Sequence, residues 1–356
     1  MSYNILGVNP SHNGSVCLLS DGELILYLEE ERLTKKKYDE LPLKSILYIL
    51  DKYSVDDIAL AGINLVKTPS SFFKEPVENL IFRKLGFNSK NFHDFSADHH
   101  VSHISSAFYN SGFDKAVGIV VDAGGSLFGN EMVEMDTIFV CSYPSNFQTL
   151  YKNYNDFSIP LENEGMGVGR SFGRLCETLG FSSLDGGKIM GLSSYGKQNP
   201  KIPNLFYGNK TNPKYANIKK FFNDFFPQNY SKEWHHNPNN IIDLEKDISW
   251  KLQSESQNIL GDYIREAIKI TNLNKVVISG GFGLNCVSNY YLKKRFPEVE
   301  FYFDPIAHDG GTAIGVAKLL YHQKTQDKMK RSQKTLYYGP KYTKKQLLKG
   351  IKKYLG

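Results

Sequence analysis

His99 and His103 stand four residues apart in the run "ADHHVSHISSAFYNSG", Ala97 to Gly112. On a helix that spacing puts both imidazoles on one face, one turn apart, the arrangement that holds a divalent cation between two ring nitrogens. His100 points elsewhere. Two imidazoles alone make a poor site, and carboxylates would complete it. Asp122 closes the apolar strand "AVGIVVD", and Asp309 lies in "IAHDGGTAIG" just ahead of a helix start. A buried carboxylate at a strand end is costly without a partner. Two His and two Asp form a mixed N/O donor set suited to Fe(II), Mn(II) or Zn(II). The same residues also fit a plain helix start, with Asp98 as its cap and the histidines at the surface.

Other stretches carry weaker chemistry. "VISGGFGLN", Val277 to Asn285, is a strand, a double glycine and a helix, a geometry that brings bare backbone and a helix N-terminus toward a phosphate. Lys188 lies in "DGGKIMGLSSYG", read here as a glycine-rich loop in which an ammonium meets phosphate or simply solvent. His12 sits in the turn "NPSHNGS" after the first strand, and Lys37 in the charged loop "EEERLTKKKYDELP"; alone, each reads as a structural or solvent-facing residue.

These residues need elements to position them. "NILGVN" reads as a strand, and "SVCLLSDGELILYLEEER" as two strands about a Ser-Asp-Gly turn. "LPLKSILYILDKY" has helical spacing and "IALAGINL" returns to strand. The histidine helix ends on Gly112, and "GVGRSFGRLCETLG" is a helix closed by Gly180. "DTIFVCSY" is a strand. A long helix pattern begins near Glu245, followed by the strand "KVVISGG", the helix "FGLNCVSNYYLKKRF", the strand "VEFYFDP" and the helix "GGTAIGVAKLLYH". Alternating strand–glycine–helix units give a mixed α/β class. The first hairpin and "GIVVDAGGS" share a plan, and two such units facing across a cleft would suit a phosphate-bearing ligand. Residues from about 198 to 240, rich in Asn, Pro, Lys and aromatics, read as an irregular insertion; Phe206, Tyr215, Phe221, Phe222 and Trp234 shape an acceptor pocket or form its own small core.

At 356 residues the chain exceeds what one core usually holds, so two lobes are expected. Its 41% hydrophobic and 22% charged residues are those of an ordinary globular protein. The net charge of +6 is misleading, because Tyr321 to Gly356 holds ten Lys and one Arg against one Asp and leaves the rest of the chain at −4. A nucleic-acid groove needs a clustered basic face, which the body lacks. No apolar run spans a bilayer, and the N-terminus lacks the pattern of a signal peptide. Cys17, Cys141, Cys176 and Cys286 are scattered without CxxC spacing, which points to a reducing cytoplasm and no cysteine-built zinc site.

Taken in order, "ILGVNPSHNGSVCLLSDGELI", "EERLTKKK", "DHHVSHISSAFYNSGFDKAVGIVVD", "GKIMGLSSYG", "GGFGLN" and "HDGGTAIGVA" resemble the NodU/CmcH-type O-carbamoyltransferases over nearly the whole chain, from about Ile5 to Pro340. That family is related to the tRNA threonylcarbamoyl transferase subunit and, more distantly, to actin-like and sugar-kinase ATPases. The resemblance implies two similar actin-like lobes around a nucleotide and metal cleft: residues 1–115, then 116–325 carrying the insertion, then a basic segment 326–356. It implies a metal, iron before zinc or manganese, on His99, His103, Asp122 and Asp309. It implies ATP or carbamoyl adenylate held by Gly124, Gly125, Lys188, Gly280, Gly281, Asn285 and Gly310. His12 is expected to orient or deprotonate an acceptor hydroxyl, and Lys37 to stabilise charge on the carbamoyl oxygen.

Two departures stand out. Family members carry a YrdC-like second domain that makes carbamoyl adenylate from carbamoyl phosphate and ATP. Here "YYGPKYTKKQLLKGIKKYLG" resembles only the linker and opening helix of that domain, so a fragment, a split enzyme with a separate YrdC-like protein, or a short form is expected. "DAGGS" has Ser126 where the family more often has an acidic residue, which leaves phosphate or metal contacts there open. The expected acceptor is a hydroxylated small molecule; a homodimer is left open. Two other readings stand beside this one: a threonylcarbamoyl-transfer subunit acting on tRNA with partners, and a non-catalytic nucleotide-binding module.

Overall fold

A computed structural model of the chain describes residues 2–66, 86, 90–129, 132–156, 167–209, 212–215 and 242–355. Strands β1 (Asn4–Asn9), β2 (Ser15–Ser20) and β3 (Glu23–Glu29) form an antiparallel meander. Helices α1 (Glu30–Thr34) and α2 (Leu43–Leu50) follow, then β4 (Ile58–Ile63) and β5 (Phe92–Asp94), which add parallel to β1 in the order β3-β2-β1-β4-β5. After α3 (His99–Ser111) the plan repeats. Strand β6 (Lys115–Val121) pairs antiparallel with β8 (Met132–Ser142), which pairs with β9 (Asn146–Asp156), and the short β7 (Leu127–Phe128) also lies on β8.

Helices α4 (Val168–Thr178) and α5 (Gly186–Ser193), the hairpin β10 (Phe206–Asn209) and β11 (Asn212–Tyr215), and α6 (Asp243–Thr271) come next. Strand β12 (Lys275–Ser279), α7 (Cys286–Arg295) and β13 (Glu300–Phe303) complete the second sheet, with β12 parallel to β6 and β13 parallel to β12. Helices α8 (Thr312–Thr325) and α9 (Lys344–Leu355) end the chain. Set β1 against β6, β2 against β8, β3 against β9, β4 against β12 and β5 against β13, and both sheets have one strand order. The fold expected from the sequence, α/β with two similar lobes, is the one observed.

The core explains this layering. The inner faces of both sheets share one apolar cluster with α3 and α8, from Ile5, Cys17 and Leu19 through Ile104 and Phe108 to Val120, Val277 and Ile314. The outer face of the first sheet packs on α2, and that of the second on α4 and α6. Helix α8 follows the last strand of the second sheet yet lies against Gly7 of β1, where a Cβ would strike the Ala313 carbonyl. Helix α3 follows the first sheet yet lies against Gly118 of β6, where a Cβ would meet Ile104 at 2.5 Å. Each crossing helix thus brings its N-terminus back between the sheets.

Most expected elements appear, with three corrections. "EERLT" is not the end of a strand: β3 stops at Glu29 and the buried Glu30 turns inward, accepting from Lys44 N, Ser45 N and Ser45 Oγ at 2.9, 2.8 and 2.7 Å. "GGKIMGLS" is a helix rather than a loop, because Ile189 is drawn into the core between α4 and α6. The insertion is not wholly irregular, since it opens with the β10–β11 hairpin, and Phe206 packs against the second-lobe core. Phe221, Phe222 and Trp234 lie outside the described residues, and the Tyr215 side chain is likewise not described.

Candidate metal centre and cleft

His99 and His103 occupy the first two turns of α3, Asp122 the loop that leaves β6, and Asp309 a short 3-10 turn ahead of α8. All four are buried, and one donor atom from each falls within 4.8 Å of the others. The two Nε2 atoms are 3.1 Å apart. Asp122 Oδ2 lies 3.5 Å from His99 Nε2, and Asp309 Oδ1 3.5 Å from His103 Nε2. Metal–nitrogen bonds of about 2.1 Å place neighbouring ligand atoms about 3.0 to 3.4 Å apart around an octahedral or tetrahedral ion. The quartet therefore fits a divalent cation in both donor chemistry and spacing.

Its surroundings orient the donors. Asn64, at the end of β4, donates from Nδ2 to Phe95 O and to Ser102 Oγ, both at 2.8 Å. Its oxygen is thereby turned to His99 Nδ1 at 2.7 Å, so Nδ1 carries the proton and Nε2 presents its lone pair to the cluster. His103 is less anchored, for its Nδ1 has no hydrogen-bond partner among the described residues. Gly281 N donates to Asp122 Oδ1 at 3.0 Å, which leaves Oδ2 facing the histidines. Burial would raise the Asp122 carboxyl, but the His99 ring at 3.5 Å and the His103 ring beside it outweigh burial and hold it at about 2. Burial would raise Asp309 as well, yet His12, His103 and His99 hold it well below the usual carboxylate range. Burial alone would lower His99, but Asp122 and Asp309 push it up. Such mutual dependence is what a cationic occupant would resolve.

The surface-histidine reading fails. The Asp98 side chain makes no capping bond to α3. The cap comes instead from the second lobe: Ser126 Oγ accepts from His99 N at 3.0 Å, and Glu134 Oε1 accepts from His100 N at 3.1 Å. Ser126, where an acidic residue was expected, is thus a helix cap held by Ser96 O and Glu134. His100 turns away from the quartet to Thr137 Oγ1 at 2.7 Å, and burial lowers its ring to about 4.

The quartet opens on a cleft of about 510 Å³ lined by the polar Asp122, Asp309, His12 and His308 and by Gly169, Phe172, Gly187, Met190, Phe282 and Leu284, with Gly169 against the Asp122 backbone. His12 is 38% exposed, with Nδ1 3.5 Å from Asp309 Oδ2. Gly124, Gly281 and Asn285 line the cleft; Asn285 also caps α7, accepting from Ser288 N at 3.0 Å. Gly125 packs under Glu134 and His100, Gly280 turns with φ +84° against the Val121 backbone, and Gly310 donates from its N–H to His308 Nδ1 at 3.1 Å.

Two lysines stand apart. Lys37 is exposed, with its ammonium 4.5 Å from the ring of the cleft residue Tyr38, and a hydrogen bond with Tyr38 raises its pKa. Lys188 points outward in the first turn of α5, paired with Asp185 at 2.8 Å and lying over Phe181, and it is not among the cleft-lining residues.

Sequence reasoning missed His308, whose Nε2 is 3.4 Å from Glu29 Oε1 of β3 and which adjoins the candidate ligand Asp309 in "HDGG". It also passed over Asn64 and Ser11. A repeat would have flagged part of this: Asp94-Phe95-Ser96-Ala97-Asp98-His99 and Asp304-Pro305-Ile306-Ala307-His308-Asp309 have one spacing. In both, the leading aspartate accepts from the backbone N–H two residues on, Ser96 at 2.8 Å and Ile306 at 3.1 Å.

The model of the carbamoyltransferase N-terminus matches residues 60–318. The chain belongs to this family. Among curated proteins it is similar to the nodulation protein NolNO of Sinorhizobium fredii, 25% identical over 351 residues, covering 92% of this chain and 49% of that protein. Nodulation protein NolO of Bradyrhizobium diazoefficiens is 23% identical over 245 residues, covering 68% of this chain and 41% of the relative. The uncharacterized protein sll1178 of Synechocystis is 25% identical, covering 97% and 62%. The carbamoyltransferase-family chain thus spans between 41% and 62% of the length of these three relatives.

Among solved structures it is similar to full-length HypF in a phosphate- and nucleotide-bound form, with TM-score 0.56, 15% identity and coverage of 91% of this chain and 47% of that one. It is also similar to T. kodakarensis HypF, with TM-score 0.59, 12% identity and coverage of 92% and 49%. Those likenesses are of fold. Among the described residues no helix is long and apolar enough to cross a membrane.

Proposed function

We propose that this chain carries the acyl-transfer step of an O-carbamoyltransferase, moving a carbamoyl group from carbamoyl adenylate to a hydroxyl of a sugar-like or natural-product acceptor. The observation that carries the reading is one cleft in which His12 stands 3.5 Å from a carboxylate of the buried His99–His103–Asp122–Asp309 quartet. Family membership supports carbamoyl transfer in general.

His99, His103, Asp122 and Asp309 would hold a divalent metal, iron before zinc or manganese. When bound, it would supply positive charge and a template for the phosphate and ribose of the nucleotide. The rest falls to the chain itself. The apolar side chains of the cleft, Phe172, Phe282 and Met190, would receive the base. Gly124 and Gly281 let backbone approach the phosphate without a Cβ in the way. His12, exposed to the cleft, takes the acceptor proton as the hydroxyl oxygen bonds to the carbamoyl carbon. The bond from that carbon to the phosphate oxygen breaks, and AMP leaves with the electron pair. Lys37, kept cationic beside Tyr38 at the rim, would swing in to balance charge on the carbamoyl oxygen. Lys188 and Gly310 remain nucleotide contacts on the family resemblance alone. Free Cys17, Cys141 and Cys176, all buried, and exposed Cys286 suit a reducing cytoplasm.

The test supplies carbamoyl adenylate directly to metal-loaded protein with a panel of hydroxylated sugars and follows AMP and carbamate ester. Acceptor-dependent AMP release, lost in His12→Ala, supports the proposal. AMP release that is independent of both acceptor and His12 contradicts it.

A further inference from the structure

The duplicated fold gives the metal quartet an internal reference. Gly7 lies under α8 and Gly118 under α3, so they mark equivalent points on β1 and β6. Four residues beyond each glycine the two loops enter the centre, at Ser11 and at Asp122. Each of these side chains contacts the ligand at the start of the crossing helix opposite. Asp122 Oδ2 is 3.5 Å from His99 Nε2, and Ser11 Oγ donates to Asp309 Oδ2 at 3.0 Å. The repeated Asp94 and Asp304 turns place His99 and Asp309 in the same register, so the two contacts are one contact seen twice.

We infer that Ser11 is the first-lobe counterpart of Asp122, serving as a positioning residue that fixes which oxygen of Asp309 faces the metal. Asp309 Oδ1 points to His103 at 3.5 Å and His99 at 3.8 Å. Oδ2 is held away from them by Ser11, with His12 beside it. Ser11 is itself buried and set by the fully buried Asn9, whose Oδ1 accepts from Ser11 N at 3.2 Å and whose Nδ2 donates to Asn13 O at 3.0 Å. Without the Ser11 hydroxyl the carboxylate is free to rotate, and the preference for Oδ1 is lost. Groups that orient a ligating carboxylate typically change metal affinity by about 10- to 100-fold. A second carboxylate at position 11 would crowd Asp309, which accounts for a hydroxyl in this loop where its twin has Asp.

This rests on the metal reading proposed above, and the test separates the two. Co²⁺ is titrated into metal-free full-length protein, and affinity is read by chelator competition and coordination by the visible absorption band. Wild type, Ser11→Ala, Ser11→Thr and His103→Ala are compared, with circular dichroism as a fold control. The expected result is roughly 10-fold or greater weakening and a changed band in Ser11→Ala, with both restored in Ser11→Thr, which keeps the hydroxyl. Wild-type affinity and band in Ser11→Ala, beside loss of Co²⁺ in His103→Ala, overturn the role of Ser11 alone. A folded Ser11→Thr that binds as poorly as Ser11→Ala also overturns it. No Co²⁺ binding by wild type overturns the metal reading and this inference with it.

Discussion

The two ends of the reactive wall are built differently. The proposed metal-binding side is fixed at three points, with His99 held by Asn64, the start of α3 capped by Ser126 and Glu134, and Asp309 bonded by Ser11. The proposed proton-handling side is loose: His12 sits in a turn with over a third of its side chain exposed, and Lys37 lies on the surface beside Tyr38. The difference is one of task. A cation site needs donors preset to within tenths of an ångström, so it is bought with buried hydrogen bonds between lobes. Groups that meet changing substrates gain from access and tighten on them only when bound.

The largest effect expected from breaking this comparison is at the fixed end. His103→Ala removes a ligand and should abolish stoichiometric metal, measured by elemental analysis, with carbamoyl transfer lost in step. At the loose end, His12→Ala should keep the metal and lose about 10²- to 10⁴-fold in kcat with carbamoyl adenylate, measured by AMP release. Loss of metal in His12→Ala would mean that the two ends are one unit.

A third effect concerns the support behind the ligands. Burial would raise the Glu134 carboxyl, but His100, Lys152 at 2.8 Å and the Ser126 N–H hold it at about 2. A carboxyl depressed from about 4.3 in the unfolded chain stabilises the fold above that pH and loses the contribution as pH falls toward 2. Glu134→Gln should therefore cost on the order of 2 kcal/mol near neutral pH, and the cost should shrink on acidification. Denaturant melts at pH 7 and near pH 2 check this; an equal loss at both would contradict it. The smallest effect is at Lys188, whose outward pair with Asp185 is worth under about 1 kcal/mol, so Lys188→Ala should leave melting and metal content nearly unchanged.

What the sequence made legible follows from range. The α3 stop at Gly112 and the helix ending ahead of Gly180 were readable because a left-handed residue after a periodic run is a local signal. The candidate quartet was readable by donor type, although its members come from three separate stretches. The residues that orient it were not: Asn64, Ser11 and Glu134 meet their partners 35, 298 and 34 positions away, and nothing in their own neighbourhoods marks them. Strand β9, "NFQTLYKNYND", is not legible in sequence because it flanks β8 on the sheet's margin and keeps little apolar alternation. Helix α5 reads as a loop in sequence because its glycines outweigh a helical pattern that only the burial of Ile189 favours.

The proposed chemistry depends on a metal in the buried quartet. The most direct measurement is the metal content of protein purified without oxygen, with His103→Ala prepared alongside. About one iron, zinc or manganese ion per wild-type chain and none in the variant is the predicted result. A wild-type protein that is folded, metal-free and unable to take up any of the three would contradict it.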